Sequence, residues 1–295
     1  MADYIITCES TADLPREFFE RREVGYVCFH YEMGGRTYTD DLYASTTPDE
    51  FFGSLKAGAQ AKTSQVGTGE YVDFWEPWLK EGKDVLHVCL SSGISGTYNS
   101  ACLAAETLAA RYPERTVRVI DSLAASAGYG LLMEYLADKR DEGMGFDELA
   151  TWAEGHKLEV NHWFFVSDLD CLKRGGRVSA TSALIATALK ICPVMNVDSQ
   201  GRLIPREKIR TKRKAITELV RNMMEHVRDG AAYTGRCAIS HSNCLADAQE
   251  VARLVGEQIP ALAGKVEICD IGTVIGSHTG PGTVALFFMG DERVD

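Results

Sequence analysis

Val85-Leu86-His87-Val88-Cys89-Leu90-Ser91-Ser92-Gly93-Ile94-Ser95-Gly96-Thr97-Tyr98 is the stretch on which the fold turns. Its first six residues form a short, nearly unbroken apolar run, the mark of a strand buried on both faces. A polar, glycine-containing turn follows. Tyr98–Tyr112 then repeats apolar residues at helical spacing, so the stretch reads strand, turn, helix. The same alternation extends in both directions. Strands are expected near Tyr4–Thr7, Gly25–Tyr31, Val117–Ile120, His162–Val166, Ile191–Val197, Arg202–Glu207, Arg236–Ser240, Val266–Cys269 and Val284–Phe288. Helices are expected at Pro15–Arg22, Pro48–Lys56, Gly69–Glu81, Leu123–Glu142, Phe146–His156, Thr181–Thr187, Thr211–Arg228 and Leu245–Gln258. This pattern predicts an α/β protein with a mainly parallel sheet in its N-terminal part. Asp198-Ser199-Gln200-Gly201 is a turn sequence, so Ile191–Glu207 should be an antiparallel hairpin, and the C-terminal sheet should be mixed. The most natural boundary lies near Lys157–Asn161, giving α/β domains over residues 1–159 and 160–295.

Composition narrows the functional classes. The 295 residues carry a formal net charge of -11, which opposes nonspecific nucleic-acid binding. No apolar run is long enough for a transmembrane helix, and the opening Met1-Ala2-Asp3-Tyr4-Ile5-Ile6-Thr7 reads as a strand rather than a signal peptide. A cytoplasmic protein is expected. None of the nine cysteines forms Cys-x-x-Cys, and the nearest two, Cys237 and Cys244, are seven apart. That spacing predicts buried thiols, with no metal site and no disulfide framework.

Four segments could carry chemistry. Ser91 to Tyr98 opens a helix, where free N–H groups, glycines and hydroxyls suit an anion; a plain helix-capping turn would look the same. Lys62-Thr63-Ser64-Gln65 reads as a polar loop between helices. Gly272 to Gly282 holds four glycines in eleven residues and reads as a tightly shaped loop carrying His278, whose charge could respond near neutral pH. Leu172-Lys173-Arg174-Gly175-Gly176-Arg177-Val178-Ser179 gathers three cations around two glycines, and Arg202 to Lys214 is a second basic run. Solvated surface charge and a docking face for an anionic partner both fit these runs. Gly280-Pro281-Gly282-Thr283-Val284-Ala285 matches the dinucleotide fingerprint in letters only, because the chain ends before the required helix and acid. A phosphate-cradling P-loop is absent. The hydrolase elbow fails at Thr97, where its last glycine belongs.

Taken in order, Ser10-Thr11-Ala12-Asp13-Leu14-Pro15, Thr63-Ser64-Gln65, Ser91 through Ala101, Val119-Ile120-Asp121-Ser122, Asp168 through Ser179 and Ile271 through Gly282 resemble the DegV family of fatty-acid-binding proteins. The resemblance spans nearly the whole chain. It implies two α/β domains with a lipid tunnel and one bound long-chain fatty acid as ligand. It implies no other cofactor, no metal and no catalytic residue. The carboxylate-binding groups it implies are Thr63, Ser95 and His278, with Ser92, Gly96 and Thr279 beside them. In kinase-associated members a separate ATP-using fatty acid kinase phosphorylates the bound carboxylate for phospholipid synthesis. Arg174, Arg177 and Arg202 are the implied docking residues, and transient membrane contact would serve lipid exchange. Three positions depart from the family pattern: Glu9 where Asp is usual, Val66 where Pro is usual, and Cys192 before Pro193 where Lys is usual.

The chemistry suits such a ligand. Burying about 15 methylenes at roughly 0.8 kcal/mol each gives a gross driving force of about 12 kcal/mol, which association and ordering reduce. The tail supplies affinity and the polar cluster supplies orientation. Two other functions fit the same residues: an acyl hydrolase with Ser95 as nucleophile and His278 as base, and an interaction protein switched by bound lipid.

Overall fold

The computed structural model describes residues 4–167, 169–178 and 192–295. It opens with β1 (Tyr4–Glu9), α1 (Arg16–Arg21), β2 (Gly25–Val27), β3 (His30–Met33), β4 (Arg36–Thr39), α2 (Pro48–Lys56), β5 (Ala61–Ser64) and α3 (Thr68–Lys80). Next come β6 (Asp84–Cys89), α4 (Thr97–Arg111), β7 (Val117–Asp121), α5 (Ala127–Asp141) and α6 (Phe146–His156). The remainder is β8 (Val160–Phe165), α7 (Asp170–Arg174), β9 (Cys192–Val197), β10 (Leu203–Ile209), α8 (Lys212–His226), β11 (Cys237–His241), α9 (Leu245–Gln258), β12 (Glu267–Asp270), α10 (Thr273–Thr279) and β13 (Val284–Met289).

Three sheets result. The first is wholly parallel, in the order β2-β1-β6-β7. Strand β6 lies inside it with Val85 to Cys89 buried, as its unbroken apolar run predicts. The chain leaves β1 toward β2 on one side and β6 on the other. The carboxyl ends of β1 and β6 therefore flank a topological switch point, where open α/β sheets form crevices. The second sheet is mixed, in the order β10-β9-β8-β13-β11-β12; only β11 and β12 pair in parallel. The β9–β10 hairpin turns at Asp198 to Gly201 as the turn sequence predicts.

The third sheet, β4-β3-β5, is antiparallel and departs from the sequence expectation. The single strand expected over Gly25–Tyr31 divides into β2 and β3, which serve different sheets. Thr63 and Ser64 lie in a strand and not in a loop. The glycine-rich stretch 272–282 is also not a loop throughout, because seven of its residues form α10. Helix α5 starts at Ala127 rather than Leu123, because Leu123 and Ser126 hold positive φ angles of 51° and 55°. The helix expected over Thr181–Thr187 falls outside the described residues, as do Asp168 and Ser179.

Helix α5 is buried on nearly every side from Ala127 to Ala137. It packs against β1 of the first sheet and against β8, β11 and β13 of the second. Close approach requires Gly128, where a Cβ would fall 2.1 Å from His162 Nε2. One contiguous apolar core runs from Tyr4 to Met289 through both sheets.

Candidate functional site

A slot lies between the carboxyl end of the first sheet and the face of the second. The first sheet contributes Leu90 at the end of β6, and the turns beyond β6 and β7 contribute Ile94, Ser95, Ala125 and Ser126. The second sheet supplies a wall. His162 and Phe164 alternate along β8, and Phe287 and Ala285 oppose them on β13, so all four project from one face. Helix α10 covers the slot with Val274, Ile275, His278 and Thr279. The slot is narrow and mostly apolar in its lining, with a volume of about 730 Å³ that includes its open mouth.

Its polar corner joins residues far apart in the chain. Thr63 on β5 and His278 on α10 are hydrogen-bonded, Oγ1 to Nε2, at 2.7 Å. Thr63, Ser95, His278, Thr279 and Arg177 all line the slot. The Ser95 Oγ accepts from the Thr97 N–H at 3.2 Å, which fixes the hydroxyl at the entrance to α4. The Arg177 Nε donates to the Ile94 carbonyl at 3.1 Å, next to Ser95. The other ring nitrogen of His278, Nδ1, is buried without a partner. Gly175 leaves room for it, since a Cβ there would sit 2.2 Å from Nδ1. The glycine of the Lys-Arg-Gly-Gly-Arg block is thus a packing requirement of the histidine.

Burial, together with the nearby Arg177 guanidinium, pushes the His278 pKa down to about 4. The expectation that its charge responds near neutral pH is therefore corrected: the imidazole is neutral there. One nitrogen meets Thr63 and the other meets nothing, so Ser95 has no hydrogen bond to His278. The nucleophile–base pair that an acyl hydrolase needs is not assembled.

Other candidates lie outside the slot. Ser92 is exposed, and its N–H donates to Asp121 Oδ1 at 3.1 Å. Gly96 is the exposed N-cap of α4 and packs on the Gln65 amide. Arg174 is exposed at the end of α7, with Nη2 3.1 Å from Cys171 Sγ. Arg202 pairs with Asp198 at 2.7 Å.

A fully buried network beneath the serine turn was not visible in the sequence. Glu9 ends β1, and its carboxylate accepts from the Leu90 N–H at 2.8 Å, the Tyr71 hydroxyl at 2.7 Å and the Tyr129 hydroxyl at 3.0 Å. Burial alone would raise its pKa, but bonding to His87 and Tyr71 brings it below the usual range. Glu9 therefore ties β1, α3, α5 and the end of β6 together just under the slot. Its position at a strand end before Ser-Thr was the available signal.

No helix among the described residues is long and apolar enough to cross a membrane. None of the nine cysteines is in a disulfide.

A sequence profile of the DegV family of uncharacterised proteins matches residues 4–291. A DegV domain-containing protein of Clostridium perfringens is 35% identical over 293 residues, 99% of each chain. One from Lactococcus lactis is 31% identical over 284 residues, 96% of each. Among solved structures, a fatty-acid-binding DegV family protein from Thermus thermophilus superposes with a TM-score of 0.85 at 28% identity, covering 98% of this chain and 99% of that one. DegV of Bacillus subtilis, described as a fatty acid binding protein, gives 0.83 at 28% identity, covering 99% and 100%.

Proposed function

The chain belongs to the DegV family, and from that premise we propose that it binds one long-chain fatty acid, with the tail in the slot and the carboxylate at Thr63, Ser95, His278 and Thr279. The observation that carries this reading is the 2.7 Å bond between Thr63 and His278 at the polar corner of an otherwise apolar slot. A narrow apolar passage suits a polymethylene chain, and a corner of hydroxyls and a neutral imidazole suits a single anionic head. The family's fatty-acid-binding structures support the same reading.

The finer proposal concerns what happens to the acid. The Arg177 guanidinium is engaged by the Ile94 and Gly175 carbonyls, so the hydroxyl donors hold the carboxylate without the tight ion pair of an arginine fork, and the oxygens stay available for phosphorylation by a separate ATP-using kinase. Of the three docking candidates, Arg174 is exposed beside the slot, whereas Arg202 is already paired with Asp198. The protein would then act in the cytoplasm as the presenting subunit and exchange lipid during brief membrane contact.

Thr63→Val and Ser95→Ala test both levels. Each should weaken binding of a saturated fatty acid roughly tenfold, the loss of one hydrogen bond to a charged group, and lower acyl-phosphate formation with the kinase. Unchanged affinity would refute the carboxylate assignment. Wild-type protein that binds the acid but yields no acyl phosphate with any fatty acid kinase would refute the presenting role alone.

A further inference from the structure

Helix α10 carries His278 near its C-terminal end, and its N-terminal end is held by two carboxylates from the first seventh of the chain. Asp13 Oδ1 accepts from the Gly272 N–H at 3.0 Å. Asp40 Oδ1 accepts from the Thr273 N–H at 3.1 Å and from the Thr273 hydroxyl at 2.6 Å. Asp13 and Asp40 are only 5% and 2% exposed. Each is tied back to the slot's surroundings. Ser126, in the slot wall, donates to the other oxygen of Asp13. Ser10 donates to Asp40 at 2.8 Å and accepts from the N–H of Phe29, another slot residue, at 3.1 Å.

A third tie comes from the same loop as Asp40. The Tyr43 hydroxyl donates to the Ile271 carbonyl. Leu42 and Tyr43 hold φ angles of 57° and 60°, two successive non-glycine residues in the left-handed region. Such strain persists only where the surroundings impose it. Three ties from two loops thus converge on Ile271, Gly272 and Thr273 at the start of a seven-residue helix, and neither Asp13 nor Asp40 lines the slot itself.

We infer that Asp13 and Asp40 are positioning residues for carboxylate recognition: they fix the depth and rotation of α10 so that His278 meets Thr63 and the ligand head together. The inference rests on the fatty-acid reading given above. From Thr273 to Thr279 the helix is a lever of about 9 Å, so a small tilt at the clamp moves the imidazole away from Thr63. Apolar contacts along the slot tolerate such a tilt better than a hydrogen bond does.

The test compares tetradecanoic acid with tetradecan-1-ol, which share a tail and differ in the head. Both displace a fluorescent polyene fatty acid from the delipidated full-length protein. Asp40→Ala should weaken the acid about tenfold and leave the alcohol within twofold. Thr273→Val, which removes one donor to Asp40 and keeps the shape, should move the ratio in the same direction by a smaller factor; it decides the matter if Asp40→Ala fails to fold. An equal loss for acid and alcohol would reduce the clamp to general packing and overturn the inference. Tighter acid binding would overturn it too, since that is the result if Asp40 acts only by charge repulsion. A wild-type protein that takes up neither compound would instead overturn the fatty-acid reading itself.

Discussion

His278 concentrates the residue-scale argument. Its pKa of about 4 in the folded protein lies below its ordinary value of 6.5. The unfolded chain therefore takes the proton first, and stability falls as pH drops from about 6.5 toward 4. His162, buried in the slot wall and likewise pushed well down by burial, adds to the fall. A carboxylate placed against His278 would raise its pKa, so the complex would hold the proton that the empty protein refuses. The stabilisation that a fatty acid gives should therefore be larger at pH 5.5 than at pH 7.5, and His278→Gln should flatten the difference. Thermal melts with and without tetradecanoic acid measure it; a ligand-induced shift independent of pH in the wild type would contradict it. The sequence marks Thr63 and His278 each by its local motif. Their pairing across 215 positions is invisible there, because no local spacing encodes a contact made by tertiary packing. The Glu9 network is hidden for the same reason: its partners Tyr71, Leu90 and Tyr129 sit on three separate elements.

At the scale of elements, long periodic segments are legible and short ones are not. Pro48–Lys56 and Phe146–His156 fall where their capping residues and apolar spacing place them. Strand β5 has four residues and helix α10 has seven, too few for a period to be read. Their polarity and glycine content read as loops, and both elements supply the polar corner. Helix α5 shows a different effect. From Ala127 to Ala137 it is buried on nearly every side because it is sandwiched, and that packing ties it to β8, β11 and β13 as well as to β1. A fragment of residues 160–295 would leave the face of its sheet bare where α5 lies. It should aggregate or bind a hydrophobic dye and show no cooperative unfolding. A sharp, reversible melt of that fragment would contradict this view of α5.

At the scale of the molecule, alternating strand and helix signals gave the α/β class, the parallel first sheet and the hairpin in the second. They could not give the slot, which exists only because the end of β6 and the turns after β6 and β7 face a wall of β8 and β13 under α10. A narrow, mostly apolar slot with one polar corner makes a definite demand on what the protein contains. Native mass spectrometry of the full-length protein as purified, followed by denaturing extraction and lipid identification, tests that demand most directly. The account predicts one equivalent of a long-chain fatty acid that is released on denaturation and restored when the emptied protein is given the acid. A protein that is empty as purified and takes up no added fatty acid would contradict it.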